Sequence, residues 1–363
     1  MRFLRADRAG RLQDVLMASV VVLLWTVLLQ PTAQAGATEP RELVLAVYSV
    51  PKEAYEKQII PAFQRYWKQR TGQEVRVRSS YGASGAQARA IIGGFEADIA
   101  ALSLEGDLDQ IARAGLIAHH WRGGPQRGIV TTSLVAFGVR KGNPKNITTW
   151  EDLARPGVEV LYPNPKTSGG AMWDVIAIYG AGLKLAEQRP ATGPAAGKGS
   201  PETYAVELLK RIQKNVKVMD KSGRESVTTF ERGVGDVIVT YENELLPRIK
   251  SGRPYELVIP AETVLIESPV AVVDRNVDKH RVRDLAEAFV TFLYSEEAQR
   301  AFREVGFRPV RSAPSGAQAG TTAPTPARLF TIEELGGWTK VEGLLFGPQG
   351  AWTKAVEGLA RGK

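Results

Sequence analysis

The sequence has no cysteine. That excludes a disulfide framework, a thiolate nucleophile, an iron–sulfur cluster and every Cys-based zinc site. Histidine is nearly absent too: three residues in 363, two of them the adjacent His119 and His120. So few leave little for a His-rich metal centre, no HExxH motif occurs, and no cofactor or metal is expected. Blocks of five or six Lys/Arg are missing, as is any basic–aromatic stripe, so nucleic acid is not an expected partner. Long apolar runs are missing except one, Val15 to Leu29, whose 15 residues fall short of the roughly 20 that span a bilayer.

That run follows a basic stretch (Arg2, Arg5, Arg8, Arg11) and precedes Ala33-Gln34-Ala35, the small-x-small pattern of a cleavage site. Residues 1–35 therefore read as an export signal, and no Cys follows to carry a lipid. Its removal takes four Arg and two Asp and lowers the net charge from +8 to +6. The excess is scattered along the chain, as on an ordinary solvated surface, and suits attraction of small anions toward a cleft.

At 44% hydrophobic and 24% charged, the chain can bury a core, and its length suggests about two domains at roughly 150 residues each. Leu43–Val47 reads as a strand, and the apolar spacing of Tyr55, Ile59, Ile60, Phe63 and Trp67 as a helix closed by Thr71-Gly72. Strand and helix then alternate with short connections, the grammar of an α/β fold with mostly parallel strands. The same grammar restarts after Gly124, and a third block begins with a strand at Val270–Val273. Arg189–Ser200 reads as a surface insertion and Ser312–Pro326 as a low-complexity loop.

Three turns share one construction, a strand, a Ser-Gly turn and a helix start: Ser84-Gly85, Ser168-Gly169-Gly170 and Ser222-Gly223. The first backbone N–H groups of a helix lack partners, and the macrodipole leaves partial positive charge there. Glycine admits an anion close to those groups, and a serine hydroxyl adds a donor. A single such turn says little, because Ser is a preferred N-cap and Gly a turn former. Three at the carboxyl ends of strands point to an anion site.

The segments SYGASGAQARAIIGGFEADIAALSL, NPKTSGGAMW, ERGVGDVIVTYENE, PVAVVDRNVDKH and LFTIEELGGW carry a family resemblance. Across nearly all of the exported chain, the sequence resembles the periplasmic sulfate/thiosulfate-binding proteins of ATP-driven uptake systems. The resemblance implies an α/β, two-lobed type II binding-protein fold with a hinge and an interlobe ligand cleft. Its expected divisions are lobe 1 over 36–134 and 266–311, lobe 2 over 135–265, and a loop with a C-terminal extension over 312–363. It implies a periplasmic, monomeric receptor that holds a dehydrated sulfate or thiosulfate between neutral donors and delivers it to an ABC permease. Carried onto this chain, the donors are the backbone N–H groups of Val50, Ser84, Gly169, Gly170 and Gly223, and the hydroxyl of Ser168. Tyr241 stands where the family has an indole donor, and Met172 where the commoner pattern has Arg.

Sulfate is fully ionised at neutral pH and only accepts hydrogen bonds. None of the matched turns places Asp or Glu at an expected contact, so affinity should be flat between about pH 5 and 8. A proton on monohydrogen phosphate would meet no acceptor, at a cost of about 1–3 kcal/mol. Thiosulfate and molybdate remain open. A serine acyl-enzyme reading rests on Ser49-x-x-Lys52, Tyr241-x-Asn243 and Lys166-Thr167, but these stand in the wrong chain order with an imperfect third element. No catalytic residue is expected.

Overall fold

The computed structural model describes residues 40–189, 199–310 and 325–361. The expected export signal, most of the Arg189–Ser200 insertion and nearly all of the Ser312–Pro326 loop lie outside the described residues. Ten strands are described: β1 (Arg41–Tyr48), β2 (Val75–Gly82), β3 (Ile99–Ala101), β4 (Ile129–Arg140), β5 (Val160–Leu161), β6 (Val216–Val218), β7 (Val237–Tyr241), β8 (Tyr255–Val258), β9 (Glu262–Val272) and β10 (Arg328–Phe330). They join in the order β2-β1-β3-β9-β4-β7-β5-β6, with β8 on β4 and β10 on β9.

The wings β2-β1-β3 and β7-β5-β6 are parallel, as strands joined through helices must be. The middle is antiparallel, because β9 runs against both β3 and β4, and β4 against β7. The expectation of mostly parallel strands thus holds in the wings and fails at the centre. Two long strands cross there between the wings. Each wing with its helices forms one lobe of a two-lobed α/β fold.

β9 begins at Glu262, well before the expected Val270. Pro269 lies within this strand, and although proline lacks an N–H the sheet absorbs it. The register against β4 shifts between Ile129 and Thr131, beside the Ile129–Pro269 pair, and the Pro269 carbonyl still accepts from Leu102 N–H at 3.1 Å.

The helices that place the site are α1 (Ile60–Thr71), α2 (Ser84–Ile92), α3 (Glu105–Arg113), α4 (Gly169–Glu187), α5 (Pro201–Lys214), α6 (Gly223–Glu231), α7 (Glu242–Lys250), α8 (Arg283–Phe292), α9 (Glu296–Glu304), α10 (Trp338–Leu345) and α11 (Ala351–Arg361). Helix α1 ends where expected, at Gly72, whose φ of 73° suits glycine. Its Phe63 meets Phe289 of α8 edge to face at 4.9 Å in the first lobe's core. Helix α4 is buried along most of its length because small residues let neighbours close in. A Cβ on Gly180 would stand 2.2 Å from Phe330, and one on Gly182 2.6 Å from Cα of Ala205. The C-terminal segment clamps the same helix from outside. Trp338 packs edge to face on Trp173 at 4.8 Å, and the Trp352 indole donates to the Tyr162 hydroxyl at 3.1 Å.

Candidate functional site

Four chain segments that start helices converge on one cavity between the wings. Val50 stands in the turn after β1, Ser84 opens α2, Ser168-Gly169-Gly170 opens α4, and Ser222-Gly223 opens α6. Tyr241 closes β7 and precedes α7. All seven residues expected from the sequence, Val50, Ser84, Ser168, Gly169, Gly170, Gly223 and Tyr241, line this space of about 20 Å³. Among the described residues, no Lys, Arg or His lines it. Positive potential there comes from helix N-termini, not from side chains.

Each serine plays a distinct part. Ser168 is the N-cap of α4, and its Oγ accepts from Ala171 N–H at 3.3 Å. That bond uses a lone pair and leaves the hydroxyl proton free to donate. Capping and anion binding are therefore compatible in one side chain. Ser222 caps α6 likewise, accepting from Glu225 N–H at 3.3 Å and leaving Gly223 as the first helical N–H. Ser84 differs. Its hydroxyl donates to Asp107 at 2.5 Å and accepts from Ser103 N–H at 2.9 Å, so the backbone N–H is what it can offer a ligand. Burial pushes the Asp107 carboxyl up to about 6, so at neutral pH it is mainly the ionised acceptor that holds Ser84.

The fit around the glycines is close. A Cβ on Gly169 would fall 2.2 Å from Ser103 Oγ and 2.7 Å from Leu104, both in the opposite lobe. Gly170 lies under Tyr241, whose Cε1 and hydroxyl would be 3.5 and 3.7 Å from a Cβ there. Trp173 ties α4 across the cleft by donating its indole N–H to the Ser103 carbonyl at 2.8 Å.

Two features of the cavity were not read from the sequence. Ser103 lines it, with its hydroxyl buried and, like that of Tyr241, without a hydrogen-bond partner. Asp174 lines it too, 1% exposed, with neither carboxylate oxygen bonded. The expectation of a cavity free of Asp and Glu is therefore corrected. Helical side chains lean toward the N-terminus. Asp174 sits four residues after Gly170 on α4, and both line the cavity. Burial pushes its pKa well above the usual carboxylate range. An acid inside an apolar helix does not announce in the sequence which way it points.

Outside the cavity, Arg224 on α6 spans the lobes. Its guanidinium donates to Glu53 at 2.8 and 3.0 Å, to the Val50 carbonyl at 3.2 Å and to Glu244 at 3.1 Å. Burial opposes this charge, but the two glutamates outweigh it and hold the arginine pKa above its ordinary value. Of the residues of the acyl-enzyme reading, Ser49 and Tyr241 line the cavity and the others do not. Lys52 pairs with Glu56 at 3.7 Å and lies 5.3 Å from the Tyr81 ring centre, while Asn243 accepts from Ser133 at 2.6 Å. Lys166 lines a different pocket.

Comparison with known proteins places this geometry. The family of bacterial extracellular solute-binding proteins matches residues 43–308. A sulfate-binding protein of Synechococcus elongatus is 43% identical over 91% of this chain and 90% of its own length. The chain belongs to the sulfate/thiosulfate-binding protein family. Its relatives include a thiosulfate-binding protein of Pseudomonas aeruginosa, 35% identical over 85% of this chain and 91% of that protein. Among solved structures, the sulfate-binding protein SubI from Mycobacterium tuberculosis superposes with a TM-score of 0.72 at 35% identity, over 84% of this chain and 99% of that one. The family's relatives are binding proteins, and this chain has their two-lobed fold.

Proposed function

We propose that this protein is a periplasmic receptor for sulfate that closes on the anion and delivers it to the membrane permease of an ABC transporter. The observation that carries the reading is the cavity itself. Helix N-termini from both lobes and the hydroxyls of Ser103, Ser168 and Tyr241 line one small space that, among the described residues, no basic side chain lines. Such a site recognises a tetrahedral dianion by hydrogen bonds alone. In this reading, lobe 1 comprises 36–134 and 266–311, lobe 2 comprises 135–265, and the hinge lies where β4 and β9 cross. The receptor is exported by residues 1–35, acts as a monomer and performs no catalysis.

Calorimetric titration of the purified chain in chloride buffer, with sulfate, thiosulfate, molybdate and phosphate in turn, tests the proposal. Sulfate should bind tightest, with thiosulfate the nearest competitor. Saturable phosphate binding without sulfate binding would overturn it. Tyr241→Phe gives a second check at this site. The tyrosine hydroxyl is buried without a partner, so removing a donor to a charged acceptor should weaken sulfate about tenfold. An unchanged dissociation constant would mean that the ring only packs over Gly170.

A further inference from the structure

We infer that Asp174 enters the closed site as a neutral carboxylic acid and donates its O–H to the bound anion, so that this receptor takes up sulfate together with a proton. The inference rests on the oxyanion reading of the cavity and adds a specificity-determining residue to it. The placement comes first. Asp174 lines the cavity, is 1% exposed, and leaves both carboxyl oxygens without a partner. A buried ionised carboxylate normally recruits a cation or several N–H donors. Among the described residues no Lys, Arg or His lines the space, and the nearby donors at the helix starts are the groups an anion would need.

The ionisable groups around it do not change this balance. Asp174 acts on the hydroxyls of Tyr162, after β5, and Tyr241, at the end of β7. Tyr241 also senses Tyr48 from β1 and Asp107 from α3, and Asp107 is partly offset by Arg89 on α2. The Tyr162 hydroxyl is already bonded to Gln213 and to the Trp352 indole. None of these groups supplies the positive charge that an ionised Asp174 would require, and burial pushes its pKa well above the usual carboxylate range. A dianion arriving in the same space disfavours ionisation further, since two like charges cannot share a dry site cheaply.

The balance is simple. Where Asp174 is ionised in the open receptor, solvent supplies one proton as sulfate binds, and the acid O–H then points to a sulfate oxygen. The sign follows: affinity holds at low pH and falls as pH rises through the pKa of the open state. This replaces the flat profile expected from the sequence. Asp107 also titrates near the site, so the comparison that isolates Asp174 is wild type against Asp174→Asn, in which Asp107 is unchanged.

Sodium sulfate should be titrated calorimetrically into wild type, Asp174→Asn and Asp174→Ala from about pH 5 to 9, in buffers of different ionisation heat, with sodium phosphate as a second ligand. Wild type should take up as much as one proton per sulfate and lose up to about tenfold in affinity per pH unit at the alkaline end. Asp174→Asn, whose amide N–H replaces the acid O–H, should match wild type within a few-fold at the acid end and stay level without added proton uptake. Asp174→Ala should bind at least tenfold more weakly than Asp174→Asn. A level wild-type profile without proton uptake, or an Asn variant as weak as the Ala variant, would overturn the inference and leave the receptor reading standing. Phosphate binding tighter than sulfate in wild type and lost in Asp174→Asn would overturn it differently, showing a carboxylate that accepts a ligand's proton. Absence of sulfate binding in every variant at every pH would overturn the receptor reading and this inference with it.

Discussion

Gly169→Val is expected to lose at least about 100-fold in sulfate affinity while leaving the fold intact. The side chain has no room. A Cβ alone would stand 2.2 Å from Ser103 Oγ, 2.7 Å from Leu104 and 3.1 Å from Ser84 Cβ. Ser103 cannot retreat easily, because its carbonyl holds the Trp173 indole and its N–H holds Ser84. All three clashing residues belong to the opposite lobe, so the strain vanishes when the cleft opens. The variant should therefore fold, remain open and bind poorly. Small-angle scattering would show wild type compacting with sulfate and the variant keeping its larger radius. Gly170→Ala is the control, since its Cβ meets Ser168, at 3.4 Å, and Tyr241 at ordinary contact distance. It should lose less. A valine variant that closes and binds like wild type would show that the anion does not lie against α4.

Ser168→Ala should weaken sulfate roughly 10- to 150-fold, the worth of about 1.5–3 kcal/mol for a hydrogen bond to a charged acceptor. The same change removes an N-cap, and caps contribute about 0.5–2 kcal/mol to stability. The two losses separate by measurement. Thermal unfolding in anion-free buffer reads the cap, and the sulfate dissociation constant reads the ligand bond. A lowered melting temperature with unchanged affinity would mean that Ser168 caps α4 and does nothing else.

The helix starts at this site were legible because their chemistry is local. Ser-Gly at a strand-to-helix turn leaves a recognisable trace, and all three such turns reached the cavity. Tyr241 came from the family pattern and not from its own surroundings. What stayed hidden depends on contacts distant in sequence. Ser103 becomes a wall of the site only because α4 packs against the turn after β3. Asp174 reads as a stray acid until the fold turns its face of α4 toward the cavity. Strand β9 was expected only from Val270, whereas it begins at Glu262 and carries Pro269 through a register shift against β4. Helix α7 went unread because Pro247 lies inside it.

The Arg224 tie reaches beyond its own contacts. It joins Glu53 and the Val50 carbonyl to Glu244 across the cleft without lining the anion cavity. It therefore lowers the free energy of the closed state whether or not the receptor is loaded. Apparent affinity scales with the fraction of molecules resting in the competent state, so this one guanidinium sets retention time as well as occupancy. Its partner Glu53 is 41% exposed, while Arg224 itself is 28% exposed. A pair so placed is screened by salt. Rising ionic strength should then shorten the dwell of the captured anion, even for ions that never enter the cavity.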